Sequence, residues 1–278
     1  MKKCRITVGR LIDLFLPAQE ACSSKRTANW YASKLHTLRI FCGEKLVDEI
    51  TAATAHEWIR KHYAKQSESQ RHAAGRAVSR LCSWAADERL IDHSPLTGFR
   101  KPPASNREIC LSPAQYALCV RLSRGPLRQV IKFLWHTGCR PGECRILKSA
   151  WISGHKVIIP RIDSKGKRRR RIIYLNGMAY NLSKTHSKKN PTGPIFRNNR
   201  NTPWTDTALA DAIARLRDKT EIEGLCAYAF RHSWITRMLQ RGVDVATVAA
   251  MAGNSPEMVL RVYNHVCQDE DRILRQLG

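Results

Sequence analysis

Hydrophobic residues recur at helical spacing through the first third of the chain. Four segments place apolar residues three or four positions apart, as in amphipathic helices: 8–16, 30–41, 58–63 and 74–84. No stretch of this region alternates apolar and polar residues with the period of two that marks a half-buried strand. The pattern therefore predicts an all-helical domain of four helices over residues 1–92.

A segment without hydrophobic periodicity follows. The sequence IDHSPLTGFRKPPASNREICLSP is rich in proline, serine and charged residues, a composition typical of linkers. We place an interdomain linker at residues 93–109. Ser112 and Pro113 then form the pair expected at a helix start, a capping hydroxyl followed by a first-turn proline. A second domain is therefore predicted over residues 110–278.

The second domain combines helical spacing with two short strand-like runs. KVIIP (156–160) and RIIYL (171–175) are strand candidates, and the basic stretch between them predicts a hairpin-like tongue. Helices are predicted at 113–124, 127–137, 141–148, 206–219, 229–241, 244–252 and 256–264. The predicted fold class is mainly α with a small antiparallel β-sheet, in two domains.

Composition excludes several classes of protein. A hydrophobic fraction of 43% with 26% charged residues is globular, not disordered. No apolar run approaches the roughly 20 residues of a membrane span, and Asp13 interrupts the apolar part of the N-terminus, so we expect no signal peptide. The ten cysteines are scattered singly, which favours reduced thiols in a cytoplasmic, nucleoid-associated protein. Cys139 and Cys144, the closest pair, lack further ligands at zinc-site spacing, so no metal is predicted.

The net charge indicates the partner. The chain has 48 Lys and Arg against 23 Asp and Glu, a formal charge of +25, and most of the excess lies in residues 101–278. Such a domain is expected to bind a polyanion, because neutralising phosphates releases condensed counterions. A solvated basic surface is the alternative, and no basic amphipathic helix beside an apolar anchor indicates a membrane.

Four local patterns stand in one order along this basic domain. They are TGCRPGECRIL (137–147), SKGKRRRRIIYL (164–175), AYAFRHSW (227–234) and MAGNSPEMVLRVY (251–263). In this order they resemble the catalytic domain of tyrosine recombinases, the phage-integrase family. That family reads T-G-x-R-x-x-E-x-x-x-L, then a lysine at a hairpin turn, H-x-L-R-H, and L-G-H followed nine residues later by tyrosine. Asn254 and Tyr263 keep the spacing of nine, and WAADERLIDHSP (84–95) is similar to the end of the family's helical, SAM-like core-binding domain.

The residue types suit DNA cleavage without a metal. That reaction needs a nucleophile, positive charge for the developing phosphorane, and a proton for the leaving 5′-oxygen. The resemblance implies that Tyr263 is the nucleophile and forms a 3′-phosphotyrosyl bond. It also implies that Arg140 and Arg231 grip the non-bridging oxygens, as guanidinium forks can. Lys165, at the hairpin turn, corresponds to the family's general acid, and no metal or nucleotide cofactor is implied.

The sequence also predicts supporting or DNA-contacting roles for residues around the proposed catalytic groups. Glu143 lies three residues after Arg140 on one helix face and is expected to orient it. The remaining basic residues of the tongue are predicted to contact DNA phosphates: Lys167, Arg168, Arg169, Arg170 and Arg171. Lys167 also stays an alternative to Lys165 at the turn. His232 is expected to be a packed, structural histidine.

Two positions depart from the family pattern. Tyr228 stands where the family has the histidine of H-x-x-R, and Asn254 stands where it has histidine or tryptophan. A phenol and an amide can still donate a hydrogen bond to a phosphate oxygen. Neither can take up a proton near neutral pH as imidazole does. We therefore expect an active enzyme with a reduced rate.

The resemblance implies a site-specific recombinase that integrates or excises a mobile element. It implies double-stranded DNA as the partner and a homo-tetramer on two DNA sites, with residues 268–278 available for exchange between neighbours. Two alternatives stay open: a catalytically weak DNA-binding regulator, which Tyr228 and Asn254 favour, and a type IB topoisomerase. A metal nuclease is poorly supported, because no carboxylate pair is clustered in the second domain.

Overall fold

The computed structural model of the chain describes residues 6–104, 109–164 and 170–267, with side chains through Tyr263. Contacts divide the chain into two compact units, Met1–Asn106 and Arg107–Gly278. The boundary between them falls within residues 93–109. No helix in the described part of the chain is long and apolar enough to cross a membrane. The cysteines whose side chains are described carry free thiols.

The first unit is helical. Its helices are α1 (Val8–Cys22), α2 (Lys25–Cys42), α3 (Ala52–His62) and α4 (Glu68–Asp87). Each begins after a serine or threonine whose side-chain oxygen accepts an N–H of the first turn. Phe15, Trp58 and Leu81 are fully buried in the core that the helices share. The predicted set of four helices is confirmed.

The second unit is mainly helical as well. Its helices are α5 (Pro113–Leu122), α6 (Gly125–Thr137), α7 (Pro141–Ile146), α8 (Gly177–Lys189), α9 (Asp206–Thr220), α10 (Ala227–Gln240), α11 (Val245–Ala252) and α12 (Pro256–Cys267). The Ser112 hydroxyl accepts the Gln115 N–H at 3.1 Å, and Pro113 is the first residue of α5, as predicted. Only α8 overlaps no predicted helix. It buries just Ala179 and Ser183, so its sequence carries no apolar stripe.

A three-stranded antiparallel sheet accompanies these helices. Its strands are β1 (Ile152–Ser153), β2 (Lys156–Ile159) and β3 (Arg171–Tyr174), in the order β1-β2-β3. Val157 pairs with Ile173, and both are fully buried. The predicted hairpin of two strands is confirmed, whereas β1 is too short to show a period in the sequence. Residues 165–169, between β2 and β3, lie outside the described part of the chain.

The second unit buries two apolar clusters. The larger contains Phe133, Phe196 and Phe230, and the smaller joins α10, α11 and α12. Gly138, directly after α6, has φ +62°, and a β-carbon there would overlap the ring of Trp234. Only glycine therefore lets the chain turn so closely against α10. This close approach brings the residues that follow α6 next to α10.

Candidate active site

Arg140 is held by a carboxylate three residues further along the chain. It immediately precedes α7 and has an extended backbone. One oxygen of Glu143 accepts the Arg140 backbone N–H at 2.9 Å, and the other accepts its guanidinium at 2.9 Å. The Arg140 side chain is 20% exposed, against 9% for Glu143. A largely buried carboxylate thus fixes the direction of a partly accessible guanidinium.

Arg231 lies in α10 and is almost entirely buried. Its guanidinium donates to the carbonyl oxygens of Gly138 and Ala252, each at 2.8 Å. Burial, followed by the positive charge of Arg140, lowers the pKa of Arg231 to about 10. The side chain is therefore still charged at neutral pH. Its bonds tie the end of α6 and the end of α11 to α10.

The two arginines converge on one oxygen atom. Asn254 follows α11 and Gly253, and its Oδ1 accepts Arg140 at 3.0 Å and Arg231 at 2.9 Å. Because a guanidinium can only donate, the amide oxygen faces both arginines and the amide NH₂ is turned away from them. Arg140 also donates to the carbonyl of Gly253. Two cationic donors from distant parts of the chain are thus aimed at one acceptor position.

Arg171 lies next to Glu143 and is largely buried, so it has contacts within the protein besides the DNA contact that the sequence predicts. It is 8% exposed, and its Nε lies 3.3 and 3.4 Å from the two Glu143 carboxylate oxygens. Its guanidinium also donates to the carbonyl of Ala252 at 2.9 Å. The reason is the strand's period of two, which points Arg171 and Ile173 into the protein. Arg171 therefore supports Glu143 and the end of α11, and does not lie on the surface of the tongue.

Gly253 makes room for that arginine. It has φ +72°, and a β-carbon there would lie 2.6 Å from the Arg171 Nε. The Glu143 carboxylate pairs with the guanidinium groups of Arg140 and Arg171, and the charge of Arg231 lies close enough to interact with it electrostatically. This arrangement leaves a net positive charge, which suits an anionic ligand.

Tyr263 lies in α12 with its hydroxyl against an imidazole. It is 4% exposed, and its φ of −115° and ψ of 18° depart from helical values. Its Oη lies 2.5 Å from the Nδ1 of His232, the residue after Arg231 in α10. Burial, and then the charge of Arg231, lowers the pKa of His232. The expected packed histidine is thus half-buried and in direct contact with the Tyr263 hydroxyl.

The other predicted site residues are either exposed or outside the described part of the chain. Tyr228 lies in the first turn of α10 and is 47% exposed. Arg170 is exposed and immediately precedes β3. Four predicted residues lie outside the described part of the chain, so their roles stay predictions: Lys165, Lys167, Arg168 and Arg169.

An open cleft of about 670 Å³ borders part of this cluster. Arg140, Asn254 and Arg171 line it, together with Ser164 and Arg170. Ser164 and Arg170 are the residues that flank the segment 165–169, so both ends of the tongue reach the cleft. Within the part of the chain that the structure describes, no three His, Cys, Asp or Glu side chains could together hold a metal ion.

Comparison with known sequences identifies relatives. The sequence model of the phage integrase family matches residues 117–270, more than half of the chain. Tyrosine recombinase XerD of Ralstonia nicotianae is 21% identical over 211 residues, which cover 70% of this chain and 68% of that protein. Tyrosine recombinase XerC of Mesorhizobium japonicum is 25% identical over 150 residues, which cover 52% of this chain and 47% of that protein. Several relatives are thus matched over only about half of their length.

Comparison with solved structures shows a shared fold. The Tn1549 transposon integrase in complex with transposon right end DNA has a TM-score of 0.77 at 18% identity, covering 98% of this chain and 99% of the other. A lambda integrase dimer bound to a COC′ core site has a TM-score of 0.74 at 14% identity, covering 91% and 97%. A lambda integrase tetramer bound to a Holliday junction has a TM-score of 0.73 at 14% identity, covering 90% and 75%.

Proposed function

The chain belongs to the phage integrase family of tyrosine recombinases, and on this premise we propose that it cleaves and rejoins double-stranded DNA at specific sites. The observation that carries the proposal is the convergence of Arg140 and Arg231 on one acceptor position beside an open cleft. Two guanidinium groups that donate to the same acceptor position are suited to bind a phosphate, because a phosphate offers two non-bridging oxygens as acceptors. Glu143 and Arg171 keep this geometry in place before any ligand binds.

The proposed reaction is a transfer of the phosphoryl group to Tyr263. The Tyr263 Oη attacks the scissile phosphorus, the bond from phosphorus to the 5′-oxygen breaks, and a 3′-phosphotyrosyl ester remains. Arg140 and Arg231 stabilise the charge that develops on the non-bridging oxygens. The ester preserves the energy of the phosphodiester, so rejoining by the 5′-hydroxyl needs no nucleotide.

The leaving 5′-oxygen needs a proton, and we assign its donation to Lys165. The position of Ser164 and Arg170 at the cleft supports this assignment, because these residues flank the segment that contains Lys165. Tyr228 is assigned a hydrogen bond to a phosphate oxygen. The NH₂ group of Asn254 is assigned another, once the phosphate has displaced the Asn254 Oδ1 from between the arginines. The exposed Arg170 and the basic residues 167–169 are assigned contacts to the DNA backbone.

We further propose that the reaction integrates or excises a mobile element, with four protomers on two DNA sites. The resemblance in fold to integrases that were solved on a transposon end and as a tetramer on a Holliday junction supports this finer assignment. Residues 268–278, which are predicted to be exchanged between neighbouring protomers, lie outside the described part of the chain.

The central test is the substitution Tyr263→Phe. A pool of nicked duplexes with randomised core sequence is incubated with the parent chain, and DNA that becomes covalently attached is recovered over successive rounds and sequenced. On the selected duplex the parent should give a covalent adduct on a denaturing gel, and Tyr263→Phe should bind the duplex equally and give none. Tyr180→Phe, on α8, is the matched control and should react like the parent. An adduct that persists in Tyr263→Phe would move the nucleophile elsewhere.

The selected duplex also separates the recombinase from the two alternative functions, a DNA-binding regulator and a type IB topoisomerase. A DNA-binding regulator would select a duplex by affinity but form no adduct, an outcome that Tyr228 and Asn254 favour. A type IB topoisomerase would relax a supercoiled plasmid that lacks the selected sequence. A recombinase needs two copies of that sequence to exchange strands.

A further inference from the structure

The hydroxyl of Tyr263 has an acceptor within reach that the sequence motifs do not assign. The His232 Nδ1 lies 2.5 Å from the Tyr263 Oη, a distance typical of a strong O–H hydrogen bond. Tyr228, which replaces the family's histidine in the first turn of α10, is exposed and carries no basic atom. Among the described residues, His232 thus brings an imidazole into contact with the proposed nucleophile.

A phenol needs such an acceptor to attack phosphorus near neutral pH. Its ordinary pKa is about 10, so the hydroxyl keeps its proton until a base removes it. His232 can act as that base only when it is neutral, with its own proton on Nε2 and the Nδ1 lone pair directed to Tyr263. Burial and the neighbouring Arg231 lower the pKa of His232, which favours the neutral form.

Within the described part of the chain, burial and the charge of Arg231 cause the shift in the His232 pKa, and no carboxylate is among its causes. Arg231 is its neighbour on α10, and Tyr263 faces it from α12. The helix α11, which packs on both α10 and α12, reads VATVAAMA and brings no titratable side chain. A neutral imidazole between a fixed cation and a phenol can take up the phenolic proton.

We infer that His232 is a catalytic residue that accepts the Tyr263 proton as the Oη attacks the DNA phosphate; this inference rests on the function proposed above. The bond between Oη and phosphorus forms while the bond from phosphorus to the 5′-oxygen breaks. The phenolic proton passes to the His232 Nδ1, and the leaving 5′-oxygen takes its proton from the general acid. In rejoining, the imidazolium returns its proton to the phenolate that leaves.

The cleavage test compares the parent with His232→Ala and His232→Gln on the selected duplex. Because general-base catalysis contributes about 10²–10⁴-fold, each variant should form the adduct at least ~10²-fold more slowly in single turnover at unchanged DNA affinity. Added imidazole should restore part of the rate of His232→Ala, since it can occupy the vacated space and accept the proton. His186→Ala, a half-buried histidine on α8, is the matched control and should keep the parent rate.

A second measurement tests the proton coupling without DNA. With 3-fluorotyrosine incorporated at position 263, the ¹⁹F resonance should follow the titration of His232 below pH 6.5, and His232→Gln should abolish that step. Adduct formation by His232→Ala at the parent rate, or a slow rate that imidazole leaves unchanged, would overturn the inference. If the parent forms no adduct, the proposed function fails instead. The ¹⁹F titration does not depend on adduct formation, and the absence of a step that follows His232 would overturn the inference in either case.

Discussion

Introducing a negative charge at position 254 tests directly whether a phosphate binds between Arg140 and Arg231. The Asn254 Oδ1 occupies the position at which we propose that a phosphate oxygen binds, 3.0 Å from Arg140 and 2.9 Å from Arg231. Asn254→Asp conserves size and places a carboxylate oxygen there. We expect the DNA-free protein to become more stable and DNA cleavage to become slower.

The gain in stability follows from the two hydrogen bonds. Both bonds already have a charged donor, and a carboxylate acceptor would add the attraction between opposite charges, which desolvation of the carboxylate offsets in part. A net gain of about 1 kcal/mol is expected. The arginines lower the pKa of the new carboxyl group in the folded state. The gain is therefore present above about pH 4, the unfolded-state value, and is lost as the pH falls through the lower folded-state pKa.

The loss in cleavage follows from repulsion. The carboxylate must leave this position before the phosphate can bind. Once displaced to about 5 Å from a phosphate oxygen, it is disfavoured by about 3 kcal/mol at an effective dielectric constant of about 20, which corresponds to roughly 10²-fold in the rate of adduct formation. Urea unfolding of the DNA-free protein measures the change in stability. Single-turnover cleavage, with the protein below the concentration that saturates the DNA, measures the change in cleavage rate.

The control is Asn254→Ala, which removes the acceptor without adding charge. It should be less stable than the parent and cleave faster than Asn254→Asp. Equal rates for the two variants would refute the binding of phosphate between the arginines. A drop in stability for Asn254→Asp would refute the assignment of Oδ1 as the atom that faces them.

Three further predictions concern the surrounding groups. Glu143→Ala should lower the free energy of unfolding by about 3–5 kcal/mol, because the Arg171 guanidinium then stays buried without its carboxylate, and Glu143→Gln should recover part of this loss in urea unfolding. Cleavage should survive EDTA and need no nucleotide, since arginines supply the positive charge; a strict requirement for Mg²⁺ in the gel assay would contradict this mechanism. Lys165→Ala should slow cleavage by ~10²-fold or more at unchanged affinity, and a 5′-bridging phosphorothiolate should restore the rate, because a thiolate leaves without a proton. Rescue of Lys167→Ala instead would shift the hairpin assignment by two residues.

The sequence by itself determined most of the secondary structure. Helices that bury one face carry that face as a period of three or four residues, and β2 and β3 are short apolar runs beside a basic turn. Capping residues such as Ser112 fixed where helices begin, because their hydrogen bonds are local. The helix α8 was not predicted, because few of its residues are buried and a helix without an apolar stripe has no periodic signal in its sequence.

Resemblance to the motifs of the family likewise identified Arg140, Arg231, Asn254 and Tyr263 as site candidates, but not their contacts. Asn254 meets Arg140 across 114 positions, and Tyr263 meets His232 across 31. The same tertiary packing makes Arg171, predicted from the sequence only as a DNA contact, a buried support for Glu143. A local pattern records which face of an element is buried, because burial follows the period of that element. The partner that an element finds there depends on how separate elements pack, and so only the tertiary structure decided which imidazole reaches the tyrosine and which oxygen the arginines share.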